Sequence, residues 1–146
     1  MGVSASAAGL ARKFTFEGVE YELKPLTFGM MARLATWLED RARAAIYRAQ
    51  AAGVSAQFVK MMQAALVEGI AAGRYEAGGA VFRDAASSGA FNRYVLQLML
   101  EPHPQSEELS YRIQADPQKS EEAQLLCEEI NSDPLAIRLR MIPTTE

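Results

Sequence analysis

The stretch RKFTFEGVEYEL, residues 12–23, decides how this chain is read. Apolar and polar residues alternate through it, the period of a strand with one buried face. If Glu17-Gly18 is a two-residue hairpin loop, Phe16 opposes Val19, Thr15 opposes Glu20, Phe14 opposes Tyr21 and Lys13 opposes Glu22. Opposed residues share a face. This register gathers Phe14, Phe16, Val19, Tyr21 and Leu23 on one side and Lys13, Thr15, Glu20 and Glu22 on the other. A slip of one residue would mix the two sets, so the pattern specifies its own pairing. Glu-Gly is a weaker turn signal than Asn-Gly or Asp-Gly, which leaves a slightly longer loop open. The apolar surface is expected to lie against helices, because nearly everything downstream reads as helical.

Pro25 cannot donate to a ladder and ends the second strand. Thr27 is placed to cap a helix, with Leu26 and Met31 at the spacing of a hydrophobic staple. That helix carries Phe28, Met31, Leu34, Ala35, Leu38, Ala42, Ala45, Ile46 and Ala49 on one side and runs to Gly53. Its other side holds Arg33, Glu39, Asp40, Arg41, Arg43 and Arg48. Ser55 opens a second helix, striped by Phe58, Met61, Met62, Ala65, Leu66 and Ile70 and ended by Gly73. After a stretch punctuated by Gly-Gly and Ser-Ser-Gly, a third helix stripes Phe91, Tyr94, Val95, Leu98 and Met99 before Pro102.

Ser106, Asp116-Pro117 and Asp133-Pro134 mark the starts of short helices, since proline fits the first helical position after an Asp cap. Glu107, Glu108, Glu121 and Glu122 are assigned to first turns, where the helix dipole favours acids. Ala123, Leu126, Cys127 and Ile130 form one face. Near the end Ile137, Leu139 and Met141 alternate with Arg138 and Arg140, as a strand would, but the Asp133-Pro134 cap favours a helix over 135–142. The fold class is mainly α, within α+β: an N-terminal β-hairpin followed by a compact bundle of about five helices. The organisation expected is a flexible arm over 1–11 and a single domain over 12–146, with the hairpin at 12–24 and helices over 27–142.

Hydrophobic content of 49% and charged content of 23% are ordinary for a globular protein. A net charge of −3 argues against non-specific attraction to nucleic acid or anionic membranes. The acids concentrate between Glu101 and Asp133, where only Arg112 and Lys119 oppose nine carboxylates, while eight of the eleven arginines precede that segment. This polarity suits a basic partner surface, although a solvated acidic face is the commoner explanation. A single cysteine, Cys127, permits no internal disulfide and fits a reducing compartment. The opening residues lack the basic and apolar regions of a secretory signal, and no run approaches a membrane span.

No reactive constellation emerges. His103, the one histidine, sits between Pro102 and Pro104 and reads as a turn residue. Cys127, on an apolar stripe, reads as a buried thiol. The glycines form neither GxGxxG nor a Walker loop. Adjacent Glu-Glu pairs point in different directions on a helix and do not suit acid catalysis. No nucleophile, base and orienter can be named, so no enzyme, cofactor or metal site is read. Arg41, Arg43 and Arg48 with Tyr47 are the one phosphate-binding candidate, and a solvated helix face is the reading adopted. Met30, Met31, Met61, Met62 and Met99 fall on or beside apolar faces. Methionine fills cores, and it also lines surfaces that accept variable partner helices.

The stretch FTFEGVEYELKPLTFGMMARLATWLEDRARA resembles the start of small tail assembly chaperones of tailed bacteriophages. Phe14, Phe16, Gly18, Tyr21, Leu23, Pro25, Leu26, Thr27, Trp37 and Arg41 stand in that family's pattern. GAFNRYVLQLMLEPHPQSEELSYRI is similar to its segment in which an apolar helix leads into a His-Pro pair and an acidic helix; Gly89, Leu96, Leu98, His103, Pro104 and Glu107 stand there. Met30-Met31 departs from the pattern, where an acidic residue is common, and the middle helix and the Gly-rich stretch to Gly79 have no counterpart.

The resemblance implies a binding protein that covers a long helical tape-measure protein in the host cytoplasm until the tail tube forms round it. Partner-binding residues would be Met30, Met31, Met61, Met62, Tyr21 and Trp37, with the free edge of the hairpin offered to a neighbouring or partner strand. Association with further copies of itself stays open. The alternatives are a structural subunit retained in the virion and a nucleic-acid-binding regulator acting through Arg33, Arg41, Arg43 and Arg48.

Overall fold

The computed structural model describes residues 9–141. Strands β1 (Arg12–Phe16) and β2 (Val19–Leu23) form an antiparallel two-stranded sheet. Seven helices follow: α1 (Phe28–Ala51), α2 (Ala56–Ala71), α3 (Ala80–Ala85), α4 (Gly89–Leu100), α5 (Ser106–Gln114), α6 (Pro117–Ser132) and α7 (Pro134–Arg140). The fold is therefore mostly helical with an N-terminal hairpin, as the sequence pattern implies. Of the arm expected over 1–11, residues 1–8 lie outside the described residues, as do 142–146; Gly9 and Leu10 are helical.

The hairpin pairs Arg12 with Leu23, Lys13 with Glu22, Phe14 with Tyr21, Thr15 with Glu20 and Phe16 with Val19. The loop is two residues long, and both have positive φ, 51° at Glu17 and 77° at Gly18. That backbone matches the twist of the flanking strands, and Gly18 adopts it without a Cβ clash. Phe14, Phe16 and Leu23 are buried, Tyr21 is half-buried, and Val19, beside the loop, is 50% exposed.

Backbone contacts divide the chain into two compact units where the sequence suggests one domain. The first comprises residues 1–30 and 87–146, the second 31–86. The boundary falls inside the first turn of α1.

In the first unit β2 packs on α4 and β1 on α6, α4 meets α5 and α6, and α6 meets α5 and α7. Its core is Phe14, Leu23, Leu98, Met99, Leu109, Ile113 and Ile130, all with almost no exposure. The Lys24 amide donates to the Met99 carbonyl at 2.9 Å, tying the end of β2 to α4. Cations cross the hairpin's aromatic side chains: the Arg112 guanidinium lies 5.5 Å from the Phe16 ring and Lys119 Nζ 5.4 Å from the Phe14 ring. Arg112 also pairs with Glu17, and Arg12 with Glu129 at 3.3 Å.

Caps set most helix starts. Thr27 Oγ1 accepts from the Met30 amide at 3.1 Å, and Asp116 accepts from Gln118 and Lys119, with Pro117 as the first helical residue. Asp133 accepts from Leu135 at 2.9 Å, and the segment after it is a helix through Arg140 rather than a strand. Two local readings are corrected. Helix α6 starts at Pro117, so Glu121 and Glu122 lie beyond its first turn. Helix α4 is capped by Ser88, whose Oγ accepts from Phe91 at 3.4 Å; of its expected stripe Phe91, Leu98 and Met99 are buried and Tyr94 and Val95 half-buried, while Arg93, Leu96 and Leu100 are buried as well.

The second unit is built on the α1–α2 hairpin. Gly53, with φ 81°, ends α1, while the Gly53 and Val54 amides donate to the Gln50 and Ala49 carbonyls. This closes α1 with two of its orphan carbonyls satisfied. Ser55 caps α2 by accepting from Phe58 at 3.2 Å. Ile46, Val59 and Leu66 make the core of this hairpin, with Ala42, Met62, Ile70 and Tyr75 packed against it. The stripe of α2 is thus rotated from the expected one: Val59, Leu66 and Gly69 are buried, whereas Phe58 is 52% and Met61 61% exposed.

Candidate protein-binding site

The six residues assigned to partner binding divide between the units: Tyr21 and Met30 in the first, Met31, Trp37, Met61 and Met62 in the second.

In the first unit, Tyr21 stands edge-on to His103, with ring centroids 5.5 Å apart and planes at 70°. His103 Nδ1 accepts from the Gln105 amide at 3.1 Å, so the ring shapes the turn into α5. These two residues, with Glu20, Glu22, Lys24 and the Leu100–Pro102 segment, line an open cleft of about 280 Å³. Met30 sits half-buried in the first turn of α1, where its amide is held by Thr27.

In the second unit, Met31 and Trp37 are half-buried on α1, and the Arg41 guanidinium lies 4.7 Å from the Trp37 ring centroid. Arg43 pairs with Asp40 at 3.0 Å and Glu39 at 3.4 Å. The phosphate-binding candidates therefore have local partners at two of three positions. Met62 packs into the hairpin core and Met61 faces outward.

Sequence reasoning missed the larger exposed apolar surface of this unit. Tyr47 is 75% exposed and Val67 68%, alongside Phe58 and Met61. A groove of about 280 Å³ runs between α1 and α2, lined by Arg43, Ile46, Tyr47, Gln50, Gln63, Leu66 and Val67. A readable signal did exist. Helix α2 has two charged residues in sixteen, Lys60 and Glu68, so it is apolar or neutral over most of its circumference. Such a helix is ordinarily buried, yet eleven of its sixteen residues are exposed.

The two units also differ in charge. The first has eight basic and thirteen acidic residues, net −5; the second has seven basic and five acidic, net +2. The polarity seen in the sequence follows this division.

Arg93, Ser106 and Ser110 are buried polar residues of the first unit. Arg93 is buried, with Nη1 donating to Ser110 Oγ and Gln97 Oε1, both at 2.8 Å, and its guanidinium 4.1 Å from the Tyr111 ring. Ser110 Oγ donates onward to the Glu107 carbonyl at 2.6 Å. Cys127 is buried, and burial, with a smaller contribution from the Glu128 charge, pushes its thiol up to about 12. A protonated thiol at neutral pH is a poor nucleophile.

Among the described residues, no His, Cys, Asp and Glu cluster is placed to hold a metal, and no helix is long and apolar enough to cross a membrane.

These features define a mostly helical protein with an N-terminal hairpin and an exposed apolar helical surface. No family model, no curated protein and no solved structure matches the chain.

Proposed function

We propose that this chain is a bacteriophage tail assembly chaperone-like protein that binds a long helical tape-measure protein during virion morphogenesis. The observation that carries this reading is the α1–α2 groove, flanked by Tyr47 and Val67, on a hairpin that leaves Phe58 and Met61 exposed. An amphipathic helix seats its apolar face in such a groove through anchors three and four residues apart. Gln50 and Gln63 line the same groove and offer side-chain donors and acceptors to a partner helix. Weak contacts of this kind hold a long chain when many copies bind along it. The hairpin motif at Phe14, Phe16, Gly18, Tyr21 and Leu23 supplies the family resemblance. On this reading the protein binds and transforms nothing.

The test is co-expression with the tape-measure protein from the same genome. The expected result is that the partner is soluble with the wild-type chain and aggregates with the Tyr47→Asp/Val67→Asp double variant. Equal solubility with both, or no complex at all, counts against the proposal.

A second reading, a structural subunit retained in the virion, draws on the hairpin's two strands, which pair only with each other among the described residues. Exposed strand edges are templates for pairing between copies. Mass spectrometry of purified particles separates the two: stoichiometric presence favours the subunit, absence the chaperone.

A further inference from the structure

The outward face of α2 has a self-complementary charge pattern. Successive side chains turn by about 100° round a helix. Counted from Ala64, Gln57, Lys60, Met61, Val67, Glu68 and Ala71 all lie within about 60° of it. Every one of these residues is exposed. Their centre lies opposite the buried stripe of Val59, Leu66 and Gly69. Lys60 stands four residues before Ala64 and Glu68 four residues after it, and they are the only charges on the helix.

We propose that a second copy of the chain covers this face, with α2 packed antiparallel on its counterpart about a two-fold axis beside Ala64. In that arrangement each residue lies level with the one at an equal distance on the other side of position 64. Lys60 of each copy comes level with Glu68 of the other, giving two opposite-charge pairs. Lys60 is kept about 12 Å along the axis from its own counterpart. Met61 comes level with Val67, and Ala64 with itself, where a methyl group lets the two backbones approach closely. The contact is isologous, so it closes at two copies.

Glu68 already pairs with Arg74 at 3.9 Å, and both side chains are at least half exposed. A surface pair of that kind is weak. It yields readily to a partner in a less solvated interface. One pair of sixteen-residue helices buries less than a permanent dimer does, so the association is expected to be micromolar and concentration-dependent. The inference stands apart from the proposed function. Val67 belongs to both surfaces, so a partner helix and a second copy exclude each other there.

The test is sedimentation velocity of the full chain from about 1 to 500 μM, a range that brackets micromolar association. Wild type is expected to pass from monomer to dimer. Lys60→Glu alone or Glu68→Lys alone places like charges together and raises the dimer Kd about tenfold or more. The double exchange Lys60→Glu/Glu68→Lys restores it. Ala64→Arg brings two guanidinium groups together at the axis and gives monomer at every concentration. All these positions are exposed, so circular dichroism and thermal unfolding should match wild type. A wild-type chain that stays monomeric overturns the proposal. So does a dimer indifferent to the single exchanges, or one that the double exchange fails to restore. Loss of tape-measure solubilisation in co-expression leaves these readouts unchanged.

Discussion

The Leu26 backbone amide donates to Asn131 Oδ1 at 3.1 Å, joining the exit of the hairpin to α6 across 105 positions of sequence. Asn131 Nδ2 reaches Met99 Sδ on α4 at 3.3 Å, and its carbonyl accepts from Arg140 Nη2 on α7 at 2.9 Å. One residue thus ties together the hairpin exit and three helices. Leu26 is buried, so removing the acceptor leaves its amide without a partner. Asn131→Leu is expected to cost about 1–3 kcal/mol. The check is urea unfolding, where the midpoint should fall while the slope stays constant. A change within about 0.5 kcal/mol, the range of ordinary surface substitutions, would deny Asn131 this role.

The hairpin face should be energetically uneven. Phe14 is fully buried against the helices, whereas Val19 on the same face is half exposed beside the loop. Phe14→Ala is expected to cost about 3–5 kcal/mol through lost burial and a residual cavity. Val19→Ala should stay within about 0.5 kcal/mol. Thermal unfolding of the two variants decides this, and equal losses would mean that the face is not seated as described.

The hairpin was legible because alternation, turn and register are local properties: Phe14 opposite Tyr21 follows from position alone. The caps at Thr27, Ser55, Asp116 and Asp133 were legible for the same reason. What the sequence left unread depends on contacts far along the chain. Arg93 is buried because Ser110, seventeen residues on, supplies an acceptor, and no local pattern distinguishes it from a surface arginine. The stripe of α2 was misread because the helix is apolar on nearly every side. With Phe58, Val59, Met61 and Met62 all hydrophobic, periodicity cannot say which of them faces α1. That same excess of apolar surface is what marks the candidate site.

Ser110 should matter more than its size suggests. It is fully buried, accepts from Arg93 and donates to the Glu107 carbonyl. Ser110→Ala leaves a buried guanidinium with one acceptor fewer. Hydrogen bonds to charged groups contribute about 1.5–3 kcal/mol, and a loss of that order is expected. Arg93→Met, which removes the charge along with its need for acceptors, should soften the effect of Ser110→Ala in a double-mutant cycle. Additive losses would show that the two side chains do not act together.

Gly79 is required by a close approach rather than by its φ, which is −77°. A Cβ there would lie 2.4 Å from both the Gly73 and Arg74 carbonyl oxygens. The Arg74 carbonyl also accepts from Val81 at 3.0 Å, so the turn cannot relax without disturbing the start of α3. Gly79→Ala should break this turn. Gly78, at φ 86° with open space around its Cβ position, should tolerate alanine at a cost of about 1–2 kcal/mol. Amide exchange over residues 73–85 should therefore accelerate in Gly79→Ala far more than in Gly78→Ala. The reverse order would contradict the geometry.

Cys127 gives the pH prediction. Burial first, and the neighbouring Glu128 charge second, hold its thiol protonated up to about pH 12 in the folded chain. Unfolded, it ionises near the ordinary thiol value of about 8.5. A raised folded value means that its contribution to stability is complete below that unfolded value. The contribution is then lost progressively as pH climbs towards 12, because only the unfolded chain releases the proton. Tyrosines and lysines titrate in the same range, so the informative quantity is a difference. Urea unfolding at pH 7.5 and pH 10.5 should show wild type losing more stability than Cys127→Ala over that interval. At pH 8 a thiol reagent should modify the native chain only as fast as it opens, and denaturant should raise the rate by orders of magnitude. Rapid labelling of the native protein, or equal pH losses in the two chains, would show that the thiol is not shut into the α6 face of the core.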